Sequence, residues 1–548
     1  MKKAFLQGLV SRSWIAVTAA AAGLSLVAGA AAVQGEPRSS IHPYLEVQQV
    51  ATMDFDTGEV LTYTGIGGGI DANISTRRVQ AMVSANYQRR VGWNDRLEDQ
   101  NVISGMAAVH VDAVPGLLAF DAGAMAARTH ADVRFPVPTA RTIDSAGIAE
   151  VYSAYAGPTL STRAGPVAVN ASYRLGYVKV DDHSLAGTGL PPGAPRVDRY
   201  SSSTVHNATV SVGMAPGELP FGWTVGAGYV REDMNRLDSN FEGKYVRGDV
   251  VFPVSPTLAV TGGIGYETMR GSQRDFLRDP ATGLPVLGPG GNLIPDPSRP
   301  RLKTIDQDGE MWDVGFIWRP TRRTELQARG GWRYGGESFT ASLSHKINAH
   351  SALNASIYDG VSSFGRLLIA DLNGLPTNFK APSNGVGLSG PGCVFGNDPG
   401  TGACFGDAFQ SISNFNFRNR GASIRYSAGR GPWTMGLGGG YANRKYLAPD
   451  SNIFALRGVT DQSFSLQGNL GRRLTRTSGF DVDAYASWFD TGLADSDNSF
   501  GAGLTGRYYR NIFRDRLQAQ VSAGLYTTQA GEFDAAYGSI LFGLRYTF

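Results

Sequence analysis

The chain has 548 residues, 71 of them glycine and 10% aromatic, with a formal net charge of +3. So small a charge gives no basis for nucleic-acid binding. A mean hydropathy of −0.16, with no run of the ~18–20 apolar residues a membrane helix needs beyond the N-terminal leader, excludes a helical membrane protein.

The leader comes first. Lys2, Lys3 and Arg12 form a positive n-region, Trp14 to Gly29 is apolar and small, and Ala30-Ala31-Ala32 offers an A-x-A cleavage site. Residues 1–32 therefore read as a cleaved signal peptide, with the mature chain starting near Val33. A short periplasmic segment, 33–43, precedes an antiparallel transmembrane β-barrel over 44–548. A chain this long usually splits into several domains, yet no linker or shift of composition divides it.

The signal of a barrel strand is ~10 residues of apolar–polar alternation between turn residues, weak singly and strong in repetition. Val79, Ala81, Val83, Ala85 and Tyr87 alternate with Gln80, Ser84, Asn86 and Gln88. Val167, Val169, Ala171, Tyr173, Leu175 and Tyr177 alternate with Asn170, Ser172 and Arg174. Leu326, Ala328, Gly330, Trp332 and Tyr334 oppose Glu325, Gln327, Arg329 and Arg333. Phe480 to Trp488 and Leu517 to Leu525 repeat the pattern. About 22 such segments fit, with 18 to 22 acceptable, since barrels of this class carry even strand numbers. A soluble sandwich or propeller would need larger residues than the Ala, Ser, Thr and Gly of the second face.

Every second connection is short, as at Ser75-Thr76, Val114-Pro115-Gly116, Pro216-Gly217-Glu218, Pro320 to Arg323 and Gly429 to Pro432. Most of those between are long and polar, notably Ala131–Ser145, Asp181–Ser202, Met269–Ile305 and Asp359–Ser413, with Asp56-Thr57-Gly58 and Gly335-Gly336 as short exceptions. Short periplasmic turns alternating with longer outer loops place both ends of the barrel on the periplasmic side. The last strand puts Ile540, Phe542, Leu544, Tyr546 and Phe548 on one face. In outer-membrane barrels such a terminal strand is what the assembly machinery reads, so Tyr546 and Phe548 are assigned as the assembly signal.

Cys393 and Cys404, the two cysteines of the chain, fall in the longest outer loop and read as one local disulfide. A short closed loop of this kind stabilises its local structure by roughly 3 kcal/mol on the chain-entropy model. A loop so stapled is expected to fold over the pore mouth or into it. No metal site or cofactor is expected: no His or further Cys stands near the pair, and the two GxGxxG runs, from Gly385 and Gly501, lack the strand–helix frame of a dinucleotide site. The histidines form no acid–nucleophile constellation, which points away from an enzyme, and His206, His345 and His350 read as strand-end packing.

Arg supplies most of the positive charge. Arg78, Arg90, Arg174, Arg329, Arg333, Arg425 and Arg507 occupy expected lumen positions against Glu325, Asp481 and Asp483. If unpaired, such guanidinium groups favour anions and suit the carboxylates of an acidic polysaccharide. If paired, they are the polar wall of a wide barrel.

The stretch SIHPYLEVQQVATMDFDTGEVLTYTGIGGGIDANIS from Ser40, with the terminal LRYTF, resembles a family of alphaproteobacterial outer-membrane β-barrel porins associated with exopolysaccharide loci. The resemblance spans nearly the whole mature chain and implies an outer-membrane channel in polysaccharide export; it transfers no site residue. Its implied partners are outer-membrane lipid and lipopolysaccharide, the barrel-assembly machinery, acidic polysaccharide and periplasmic export proteins. Two alternatives stand beside it: a structural or glycan-binding surface barrel without transport, and a plug-less relative of TonB-dependent receptors, since only about ten residues separate Val33 from the expected first strand.

Overall fold

The computed structural model describes residues 38–548, apart from 94–96, 98, 131–147, 183–199, 289–292, 380–391, 411, 450–457, 493–496, 514–515 and 532. The signal peptide and the start of the 33–43 segment lie outside the described residues, as do the expected loop 131–145 and most of 181–202.

Twenty-two antiparallel strands form one sheet closed on itself. The first strand, Arg38–Asp54, pairs on one side with Val60–Ser75 and on the other with the last strand, Phe533–Thr547. Closure removes the exposed edge that an open sheet would present. The first strand starts at Arg38, earlier than Tyr44, but residues 38–43 pair only with the second strand. The closing seam begins with Tyr44 opposite Thr547.

Alternation decides which face is which. Ile540, Phe542 and Leu544 of the last strand, with Phe548 just after it, point outward and are half or more exposed, whereas Ser539 and Leu541, which alternate with them, are buried. The same holds where Trp312, Val314, Phe316 and Trp318 project from the strand Leu302–Thr321 while Asp313 points inward to ion pairs. An outer wall of large exposed apolar residues is a stable solution when hydrocarbon is the solvent. No helix among the described residues is long and apolar enough to cross a membrane.

The expected turns lie at one end, together with the connection from Ile512 to Leu517. Gly116, Gly165 and Gly431 take φ of 73°, 60° and 60° in them, a left-handed conformation that suits glycine. At the other end the loop expected from Met269 to Ile305 is shorter: pairing continues to Gln273 and resumes at Leu302. The loop between strands Ser351–Ser362 and Asn416–Arg430 has its own structure, with helix α1 (Phe364–Asn373), a hairpin of Cys393–Phe395 with Gly402–Cys404, and a short helix α2 (Gly406–Phe409).

Candidate functional site in the barrel lumen

Helix α1 starts where its sequence says it should. Ser363 is its N-cap, its hydroxyl accepting from the Arg366 amide (3.2 Å). Phe364, Leu368, Ile369 and Leu372 then fall on one face and are buried. That face does not meet another helix. It meets the lumen side of the wall, where Met106, Met125, Val151, Val178 and Val205 supply apolar side chains in place of the polar ones a water-filled lumen would carry. Gly176 leaves room for Ile369, because a Cβ there would come within 2.7 Å of its Cδ1. Phe379, Val394, Phe405 and Phe409 complete this core.

Polar contacts hold the start of α1. Arg366 pairs with fully buried Glu232 (3.2 Å), donates to Asn416 (2.7 Å) and stacks on Phe241 at 3.8 Å. The Ser363 hydroxyl donates to the same Glu232 carboxylate. At the far end Thr377 Oγ1 reaches Gln80 Oε1 (3.1 Å), two residues above the periplasmic turn end at Arg78. A loop that leaves the barrel at the outer end thus comes down to its inner end.

The second half of the loop seats on other strands. Cys393 and Cys404 are bonded and face each other across the hairpin. This hairpin lies on two wall glycines of the strand Trp433–Leu447. A Cβ at Gly438 would stand 2.3 Å from Cys393 Sγ, and one at Gly436 would stand 2.5 Å from the Phe395 ring. The Gly400 amide donates to Ser427 (2.7 Å) and its carbonyl accepts from Asn354 (2.6 Å). In α2, Asp407 accepts from Asn419 (2.9 Å), Tyr358 (3.1 Å) and Arg444 (3.1 Å). Arg444, fully buried, is also bound to Asp461 at 2.8 Å. The loop therefore spans the lumen between two regions of wall.

The seven expected lumen arginines divide into three groups. Arg78 is not in the wall; it is exposed in the periplasmic turn beside Thr76. Arg174, Arg329, Arg333 and Arg507 do point inward, but as partners in ion pairs. Arg174 meets Asp121 (2.5 Å), Arg333 meets Glu267 (2.8 Å) and Arg507 meets Asp481 (2.6 Å). Arg329 joins Arg247 in sharing Asp249 and Asp313, at 2.6 to 3.3 Å. Two cations and two carboxylates leave that cluster neutral, so the expectation of an unpaired arginine ring is corrected for these four.

Arg90 and Arg425 remain. Arg90 donates to Gln88 (2.9 Å) and lies 5.1 Å from the Tyr63 ring. Arg425 has its Nε buried without a hydrogen-bond partner among the described residues. The charge that acts on it is Asp371, on the last turn of α1. Asp371 keeps part of its surface open although it lies deep in the lumen. Burial pushes its carboxyl well above the usual carboxylate range; nearby Asp407 adds to the rise and Arg425 opposes it.

The histidines hold local contacts. His206 faces outward and bonds Tyr173 Oη (2.8 Å), His345 bonds Thr324 (2.8 Å), and His350 sits in its turn. His110, which no sequence pattern ties to a carboxylate, meets Asp121 at 2.6 Å beside Arg174. Among the described residues no cluster of His, Cys, Asp or Glu is arranged to hold a metal ion.

No protein-family model matches the chain, and no curated protein does. Among solved structures it is similar to the FrpB iron transporter from Neisseria meningitidis, at 11% identity and a TM-score of 0.46, over 92% of this chain and 81% of that one. It is also similar to the ferric yersiniabactin uptake receptor FyuA from Yersinia pestis, at 10% identity and a TM-score of 0.42, over 94% and 81%. The ferric-catecholate import receptor Fiu from E. coli gives 10% and 0.42, over 92% and 81%. Likenesses at this level carry no argument about activity. The strand pairing described above establishes the closed outer-membrane-type β-barrel on its own.

Proposed function

We propose that this chain is a gated transport barrel of the bacterial outer membrane, and that its own loop 363–415 is the gate. The observation that carries the reading is the descent of this loop from the outer end to Gln80 near the inner end. A folded, disulfide-stapled element seated on an apolar strip of the wall obstructs free diffusion through the lumen. The buried charges that line the seat, Glu232, Arg444 and Asp461, tie the loop to the wall through Arg366 and Asp407. Twenty-two-stranded barrels are wide enough to need a plug if they are not to leak, and here the chain supplies one from a loop.

Export of an acidic polysaccharide is the finer reading that the family resemblance implies. The paired arginines withdraw the charge argument for it, and the resemblance remains its support. Export by a cleaved leader would give a mature N-terminus near Val33.

The test is flux. Liposomes carrying the intact barrel should retain a trapped polar oligosaccharide, and those carrying a barrel with residues 364–413 replaced by a short Gly-Ser linker should release it. Retention by both, with each barrel folded, would leave a structural barrel as the answer.

A further inference from the structure

One part of the wall is unzipped. Strand Gly336–Asn348 pairs with Ser351–Ser362 only as far up as Ala341 opposite Ile357. Above that, residues 336–340 have lost their neighbour across the seam, while residues 358–362 remain paired on their other side with Phe417–Gly421. At ~3.4 Å per residue and a ~40° tilt, Ala341 lies roughly 18 Å above the inner end of its strand, inside an apolar band ~25 Å tall. A strand edge opening at that depth is costly unless something polar meets it.

Cations lean over this seam. Arg418 and Arg420 each donate to the Glu337 carbonyl, at 2.9 and 2.6 Å, and both lie against the nearly buried Asp359 carboxylate. Lys445 stands opposite Arg418 on the next strand and is exposed, with no partner among the described residues. Like charges directly opposite on neighbouring strands destabilise a sheet. Asp359 and the exposed Glu337 oppose the three cations and leave an excess of positive charge. On the same face just below, Tyr441, Ile357 and Phe339 are exposed apolar residues. Lys445 is roughly 10 Å above Tyr441 at the same rise and tilt, the level of lipid headgroups.

We infer that this seam binds a phosphorylated glycolipid of the outer leaflet, its phosphate held by Arg420 and Lys445 and its acyl chains lying over Phe339 and Ile357. A bare fatty acid fits less well: its single carboxylate offers Arg420 and Lys445 less charge than a phosphate, and it lacks the donors and acceptors that a sugar headgroup brings to Arg418 and Glu337. The site lies on the outer wall and does not rest on the gate in the lumen.

The clean variant is Lys445→Gln, because it removes a charge and breaks no bond to the described residues. Native mass spectrometry of the detergent-purified barrel would count retained glycolipid. Titration of the delipidated barrel would then use a bis-phosphorylated lipid A, its dephosphorylated form and inorganic phosphate alone. The expected result is binding of the phosphorylated lipid, weakened about tenfold by Lys445→Gln, in keeping with loss of one charged contact. The dephosphorylated form should bind poorly, and inorganic phosphate should not compete at matched concentration. Equal affinity of Lys445→Gln and the natural chain would overturn the inference, as would competition by free phosphate. Unchanged heat-modifiable migration on a gel shows that the variant is folded.

Discussion

Arg174, Arg329, Arg333 and Arg507 are each held in the lumen wall by a carboxylate that another strand carries. Period two put Arg174, Arg329, Arg333 and Arg507 on the inner face, and that is where they are. Whether a guanidinium is free depends on carboxylates from other strands: Asp121, Asp249, Glu267 and Asp313 are brought alongside only by the register of the closed sheet. This separates two substitutions. Arg329→Gln leaves Asp249 and Asp313 sharing Arg247 alone, and should destabilise the folded barrel by roughly 1–3 kcal/mol. Arg425→Gln removes a group whose Nε has no hydrogen-bond partner among the described residues, and should leave stability within ~0.5 kcal/mol. Denaturant unfolding followed by gel mobility would compare them; equal losses would mean that Arg425 is as firmly held as Arg329. Gly438 offers a second test at this scale. Its missing Cβ makes room for the Cys393–Cys404 bridge, so Gly438→Val should lift the hairpin off the wall and raise conductance while the barrel still assembles. An unchanged conductance would show that the hairpin's seat does not control passage.

At the scale of elements, strands and turns followed from alternation and from turn residues, because a strand's face is set locally. The loop 363–415 was legible as a stapled segment that folds over the pore mouth or into it, but its seat on the wall and the depth of its descent were not. The missed signal was in the wall: the inner face of the strand Val167–Asp182 turns from Asn170, Ser172 and Arg174 to Gly176, Val178 and Val180, which makes sense only if something apolar covers it. Another such signal was the amphipathic run from Phe364 to Leu372 behind an N-cap serine. The depth of the descent depends on contacts such as Thr377 with Gln80, which no local pattern encodes. Seating of this element should depend on pH through Asp371. Its carboxyl is held well above the usual range by burial, with Asp407 beside it and Arg425 and Tyr358 close by. A raised value means the seated loop favours the protonated acid. Its contribution to seating is therefore complete below the ordinary carboxylate pKa and is lost as pH rises through the raised value. Conductance should rise over that window in the natural chain, and Asp371→Asn should flatten the profile at its closed end. A profile unaffected by Asp371→Asn would remove this residue from the gate.

For the molecule as a whole, the terminal strand and the alternation define one architecture: a barrel with both described ends at the periplasmic rim and a seam of Tyr44–Asp54 with Tyr537–Thr547. The folded protein should resist detergent and migrate faster unheated than boiled, and deletion of Phe548 should lower its assembly yield in cells, as expected if the outward Tyr546–Phe548 pair is the signal read at assembly. Normal yield would place that signal elsewhere. The central claim is that the outer loop, folded into the lumen, closes an otherwise open barrel. Single-barrel conductance in a planar bilayer tests it most directly, comparing the natural chain with one whose residues 364–413 are replaced by a short linker. The account predicts small or intermittent currents for the first and a steady conductance several-fold larger for the second. Equal conductance from two folded barrels would contradict it.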